Sequence, residues 1–118
     1  MSDTPQPPTP YCVVLTTVDS EARAETLAQQ IVQAQLGACV QVQSIKSFYV
    51  WKGQAHSEPE HLLLIKTRSA LYPQLQAFIR AHHSYETPEI VQLPITAGSS
   101  DYLAWIDAGT TRAKTSGP

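Results

Sequence analysis

The sequence predicts an α+β fold: one antiparallel sheet with two helices on a single face. Three observations predict it. Four apolar, β-branched runs alternate with two stripes of helical period, in the order strand-helix-strand-strand-helix-strand. A proline, Pro94, interrupts the last run and marks it as an edge strand, where a missing N–H breaks no ladder. The 118 residues, 42% of them apolar, suit one core and are too few for two.

The elements follow in order. Residues 1–10 carry Pro5, Pro7, Pro8 and Pro10 among small polar residues and read as a loose tail, and residues 109–118 have the same character. The domain is therefore expected over residues 11–108. Tyr11 to Thr17 is the first strand. Asp19 or Ser20 then caps a helix with Glu21 in its first turn, where an acid suits the dipole. Ala24, Leu27, Ala28, Ile31, Val32 and Leu36 fall on one stripe, and Gly37 is expected as the left-handed stop.

Cys39 to Trp51 is a long second strand. Ile45 has the opposite parity to Val40 and Val42, so a β-bulge is expected between them. Lys52-Gly53 marks a turn, and the third strand returns to Thr67, closing a hairpin of about thirty residues, long for a small sheet. Ser69 is expected to cap the second helix, with Leu71, Leu75, Phe78 and Ile79 buried and Pro73 tolerated in the first turn. Ile90 to Thr96 is the fourth strand. A short helix from Asp101 to Ala108 closes the domain, with Tyr102, Leu103 and Ile106 able to pack down.

This order is that of the ferredoxin-like plait. A sheet covered on one face should alternate apolar and polar residues, yet Cys12 to Leu15 and Leu62 to Ile65 do not. Both faces of the central strands should then be dry, and the two helices cover only one. A second copy of the sheet is the expected cover, because large apolar patches mark interaction sites. Phe48, Tyr49, Val50 and Trp51 near the hairpin tip make a natural contact arm.

Composition narrows the function. Eight basic and ten acidic side chains give a net charge of −2, and the longest basic feature (Lys46, Lys52, Lys66, Arg68, Arg80) is scattered. Nucleic acids and anionic membrane surfaces need a clustered basic face, so neither is an expected partner. No apolar run reaches the roughly 20 residues of a membrane helix, and no signal peptide precedes Tyr11. The default compartment is the cytoplasm. Cys12 and Cys39 read as small buried hydrophobes of a reducing compartment, with one disulfide as the alternative. The chain carries no Gly-rich phosphate loop, Cys-x-x-Cys pair or Gly-x-Ser-x-Gly elbow, and it is expected to bind rather than catalyse.

Five motifs in order resemble the CutA divalent-cation-tolerance family. They are Leu36-Gly-Ala-Cys39-Val, Ser47-Phe-Tyr-Val-Trp51-Lys-Gly53, Glu60-His-Leu-Leu-Leu-Ile-Lys66-Thr67, His83-Ser-Tyr85-Glu86-Thr-Pro88-Glu89 and Tyr102-Leu-Ala-Trp105. The resemblance spans nearly all of Cys12 to Ile106. It implies a homotrimer of ferredoxin-like subunits packed edge to edge, without established enzymatic activity, linked to copper and other divalent cations and needing no resident cofactor. It also implies a cleft between subunits lined by Tyr49, Trp51, Glu60, Lys66, Tyr85 and Glu86. Gly37 stands where the family usually has alanine, and Ser84 where it usually has proline. Thr16 stands where some copper-binding members are thought to use a cysteine.

Two sets of residues carry candidate chemistry. His82 and His83 end the second helix just before Glu86 and Glu89, and imidazoles suit Cu(II) and Zn(II). Neighbouring helical residues point about 100° apart, so the alternative is a pair of histidines that complement the helix dipole. Cys39, entering the second strand beside the cleft, is either a soft ligand or a packed core residue. Glu60 and Lys66 either line a ligand pocket or form an ion pair that locks the interface. The cleft suggests a second function, a small-ligand sensor of signalling type.

Overall fold

The computed structural model describes residues 9–111, so residues 1–8 and 112–118 of the two expected tails lie outside the described residues. Strands β1 (Tyr11–Val18), β2 (Cys39–Trp51), β3 (Gln54–Arg68) and β4 (Val91–Pro94) form one sheet of order β2-β3-β1-β4. All its pairs are antiparallel, and β4 lies at an edge, as Pro94 requires. Helices α1 (Glu21–Gln33) and α2 (Tyr72–His82) follow β1 and β3, and α3 (Ser100–Gly109) follows β4. The ferredoxin-like plait is present.

Register assigns each side chain to a face. Cys12, Val14 and Thr16 of β1 lie opposite Thr67, Ile65 and Leu63 of β3, and all six are fully buried. Ala24, Leu27 and Ile31 of α1, with Leu75 and Ile79 of α2, complete this core. The other face carries Val13, Leu15, Leu62, Leu64, Val91 and Leu93. All of these are at least partly exposed, Val91 at 42% and Leu93 at 48%.

Several local expectations change. Ser20 caps α1 by accepting from the Arg23 N–H, but the left-handed residue at the helix end is Gln35 (φ 57°), not Gly37. Leu36 N–H bonds back to Ile31 O and Gln35 N–H to Val32 O, a Schellman end. Gly37 serves packing instead: a Cβ there would lie 2.6 Å from Ile65 Cγ2 and 3.0 Å from Ile31 Cγ2. Val32, expected on the buried stripe, is 43% exposed.

No bulge interrupts β2, because its residues pair one to one with β3 from Cys39↔Lys66 to Trp51↔Gln54. Ile45 therefore stays on the open face, opposite Glu60. Lys52 (φ 52°) and Gly53 (φ 76°) make the tight hairpin turn. Ser69 opens a single 3₁₀ turn, Ser69–Leu71, rather than capping α2, which starts at Tyr72 without a side-chain cap.

The largest correction concerns the open face, part of which this chain covers itself. Tyr11, Arg68 and Cys39 sit on that face by register, and α3 docks over their end of the sheet. The Tyr11 hydroxyl donates to Asp107 at 2.6 Å. Arg68 donates from Nε to Thr110 Oγ1 and from Nη2 to Thr110 O, both at 2.8 Å. Ile106 and Thr110 are fully buried as a result, so the ordered body runs past Ala108. Of the three α3 residues expected to pack down, Tyr102 instead stacks on Trp105 at the surface.

Candidate functional site

An open cleft of about 830 Å³ lies at the opposite end of the open face from α3. Its walls are the hairpin (Ser47, Phe48, Tyr49, Trp51, Glu58, Glu60), Thr17 at the end of β1 with Asp19 just beyond it, and the loop Ser84–Glu89. Strand period builds the hairpin wall: Ser47, Tyr49 and Trp51 alternate along β2, Glu58 faces Ser47 and Glu60 faces Ile45, all on one side of the sheet. Pro88 helps to keep the loop out of regular structure.

Among the described residues, the lining holds five carboxylates (Asp19, Glu58, Glu60, Glu86, Glu89) and no Lys, Arg or His. Asp19 is paired with Arg23 at 3.2 Å, which leaves four acids uncompensated by the lining. Such a concentration of one sign attracts cations and repels anions. Tyr85 spans the cleft and donates from its hydroxyl to Glu60 Oε2 at 2.8 Å. Burial, then this bond, pushes the Tyr85 phenol far above its usual range. Burial and the neighbouring Glu58 also raise Tyr49.

The sequence-predicted residues divide. Tyr49, Trp51, Glu60, Tyr85 and Glu86 line the cleft. Cys39 and Lys66 do not: they face each other at the α3 end of the β2–β3 pair. Lys66 donates from Nζ to Gln41 Oε1, and Cys39 lies beside the Tyr102 hydroxyl, whose pKa is pushed up by burial and then by that thiol. Glu60 and Lys66 are six residues apart on one face of β3, about 20 Å, so they form no ion pair within the chain. Cys12 and Cys39 are both free and lie on opposite faces of the sheet.

His82 and His83 use opposite ring nitrogens. A carbonyl only accepts, so the His82 Nδ1–H donates to Phe78 O at 2.8 Å, and the ring stacks on Phe78. His82 lines a separate groove of about 280 Å³ between α1 and the end of α2. His83 donates from Nε2 to Thr17 O at 2.7 Å and accepts the Tyr85 N–H at Nδ1, 3.1 Å away. Both of its nitrogens are engaged. Among the described residues, no three His, Cys, Asp or Glu side chains converge closely enough to hold a metal ion.

Asp19 and Glu58 are not among the site residues the sequence singles out, and Glu89 is singled out only beside the two histidines. Glu58 shares its parity with Glu60, a signal that alternation along β3 carries. The placement of Asp19 and Glu89 depends on how two loops meet, which no local pattern records.

Residues 12–109 match the family described as CutA1 divalent ion tolerance protein. The chain is 44% identical over 102 residues to "Protein CutA, chloroplastic" of Arabidopsis thaliana, covering 86% of this chain and 56% of that protein. It is 43% identical over 99 residues to the divalent-cation tolerance protein CutA of Thermus thermophilus, covering 83% of this chain and 96% of that one. The solved structure of the periplasmic divalent cation tolerance protein CutA from Archaeoglobus fulgidus superposes with a TM-score of 0.83 at 34% identity, over 85% of this chain and 98% of that one. The chain spans little more than half the length of the plant relative. It belongs to the CutA1 divalent ion tolerance family.

Proposed function

We propose that this member of the CutA1 family acts as a cytoplasmic homotrimer in the response to divalent cations, with the acidic cleft as the place where they collect. The observation that carries the cation reading is the lining itself: among the described residues, five carboxylates without a cationic side chain. The assembly reading rests on the open face. Between α3 at one end and the cleft at the other lies an apolar strip of Val13, Leu15, Leu62, Leu64, Val91 and Leu93. A strip of this kind is what a further copy of the sheet covers, and family likeness favours three copies.

Cation binding by one chain is weak, since among the described residues no three donor side chains converge. Water fills the remaining positions, or a second copy supplies them. Carboxylate oxygens suit hard divalent cations. Copper would draw on imidazole as well, but the free Nε2 of His82 lies in the separate groove between α1 and α2, and His83 would have to give up two hydrogen bonds. Thr16, fully buried on the helix face, provides no thiolate.

Tyr49, Trp51 and Tyr85 in the same walls favour a second reading, a sensor for a small organic cation that rests against aromatic rings. Thermal unfolding in the presence of Cu(II), Zn(II), Mn(II) and a panel of amines tests both. A ligand of the folded form raises the midpoint. A rise with metal ions that is lost in a Glu58→Gln, Glu60→Gln, Glu86→Gln variant supports the first reading. A rise with amines alone replaces it by the second, and no rise with either overturns both.

A further inference from the structure

We infer that His83 is a positioning residue of the acidic cleft: it acts through Tyr85 to hold the Glu60 carboxylate in place, and it does not itself bind the cation. Four groups form one continuous strut. Thr17 O at the end of β1 accepts from His83 Nε2, His83 Nδ1 accepts from the Tyr85 N–H, and the Tyr85 hydroxyl donates to Glu60 Oε2 on the hairpin. The His83 and Tyr85 rings also pack at a tilt, 4.8 Å between centroids. The strut ties the loop Ser84–Glu89 to two strands that the chain itself brings together only in the fold.

Only one form of the ring satisfies both of its contacts: neutral, with the proton on Nε2 and the lone pair on Nδ1. A metal at Nδ1 would displace the Tyr85 N–H, and a metal at Nε2 would displace Thr17 O. Each displacement leaves a part-buried backbone group without its partner. The bond from a side chain to the N–H two residues on has the form of an Asx turn, so asparagine at position 83 can reproduce it while losing the tether to Thr17. That separates the two halves of the strut.

The inference depends on the cleft reading above only for its consequence on cation affinity; the strut is measured without any cation. In the wild-type protein, the ring ¹⁵N spectrum of His83 is expected to show the neutral Nε2–H tautomer and to remain unchanged when Zn(II) is added. His83→Ala should speed hydrogen exchange of the Tyr85 amide about tenfold, the loss of one net hydrogen bond. His83→Asn should restore most of that protection. In calorimetric titration, His83→Ala should weaken Zn(II) binding about threefold, through Glu60, and His83→Asn should recover part of it. Zn(II)-induced shifts of both His83 ring nitrogens to a coordinated form would overturn the assignment. So would unchanged Tyr85 exchange in His83→Ala. Should Zn(II) fail to bind the wild type at all, the cleft reading falls, while the exchange measurement still decides the strut.

Discussion

The two faces of the β1–β3 pair are built from the same kinds of residue and meet different surroundings. Cys12, Val14, Leu63 and Ile65 point to the helices and are fully buried. Val13, Leu15, Leu62 and Leu64, each one position away, point to the other side and are only partly covered. A central strand with an unbroken apolar run is thus half satisfied by its own chain. The remainder is a demand on something else, and the α3 helix meets it only at the Tyr11–Arg68 end.

Two substitutions at adjacent positions sharpen this contrast most. Ile65→Ala on the helix face should cost about 3 kcal/mol in urea unfolding, the usual loss for a buried large-to-small change in a packed core. Leu64→Ala would cost well under that in a lone chain. With the open face covered by other copies, it should instead approach about 2 kcal/mol, and the unfolding midpoint should fall as the protein is diluted. A small, concentration-independent effect at Leu64 would leave that face wet. Next in size is Arg68→Ala, which removes both hydrogen bonds to Thr110 and should cost about 2 kcal/mol, with amide exchange rising across α3 before the rest of the domain.

Much of the fold was legible because the signals were local. Tyr11 to Thr17 reads as a strand from its β-branched residues, Lys52-Gly53 as a turn from its left-handed pair, and Pro94 as an edge from its missing N–H. The errors lie where local rules compete or fall silent. Ile45 suggested a bulge because a single apolar face was assumed, whereas the unbroken register places it on a second one. Gly37 looked like a helix stop, but Gln35 takes the left-handed position and Gly37 is needed where Ile65 leaves no room for a Cβ.

The candidate cleft is legible to a similar degree. The family resemblance groups Tyr49, Trp51, Glu60, Tyr85 and Glu86, and the fold brings these five to one cleft of the chain. Cys39 and Lys66 were grouped with them although the β2–β3 register carries both to the far end of the sheet. That α3 forms and packs down through Ile106 is legible in the sequence, but where it docks is not: its polar contacts join residues 96 and 42 positions apart, with no pattern in either segment to announce them. The tautomer of His83 is likewise set by two backbone groups that meet only in the folded chain.

The covering of the open face is tested most directly by sedimentation equilibrium of the untagged protein at micromolar concentration. A mass three times that of the chain, falling when Leu64→Glu places a charge in the apolar strip, is the expected result. A stable, folded species of single-chain mass would contradict it.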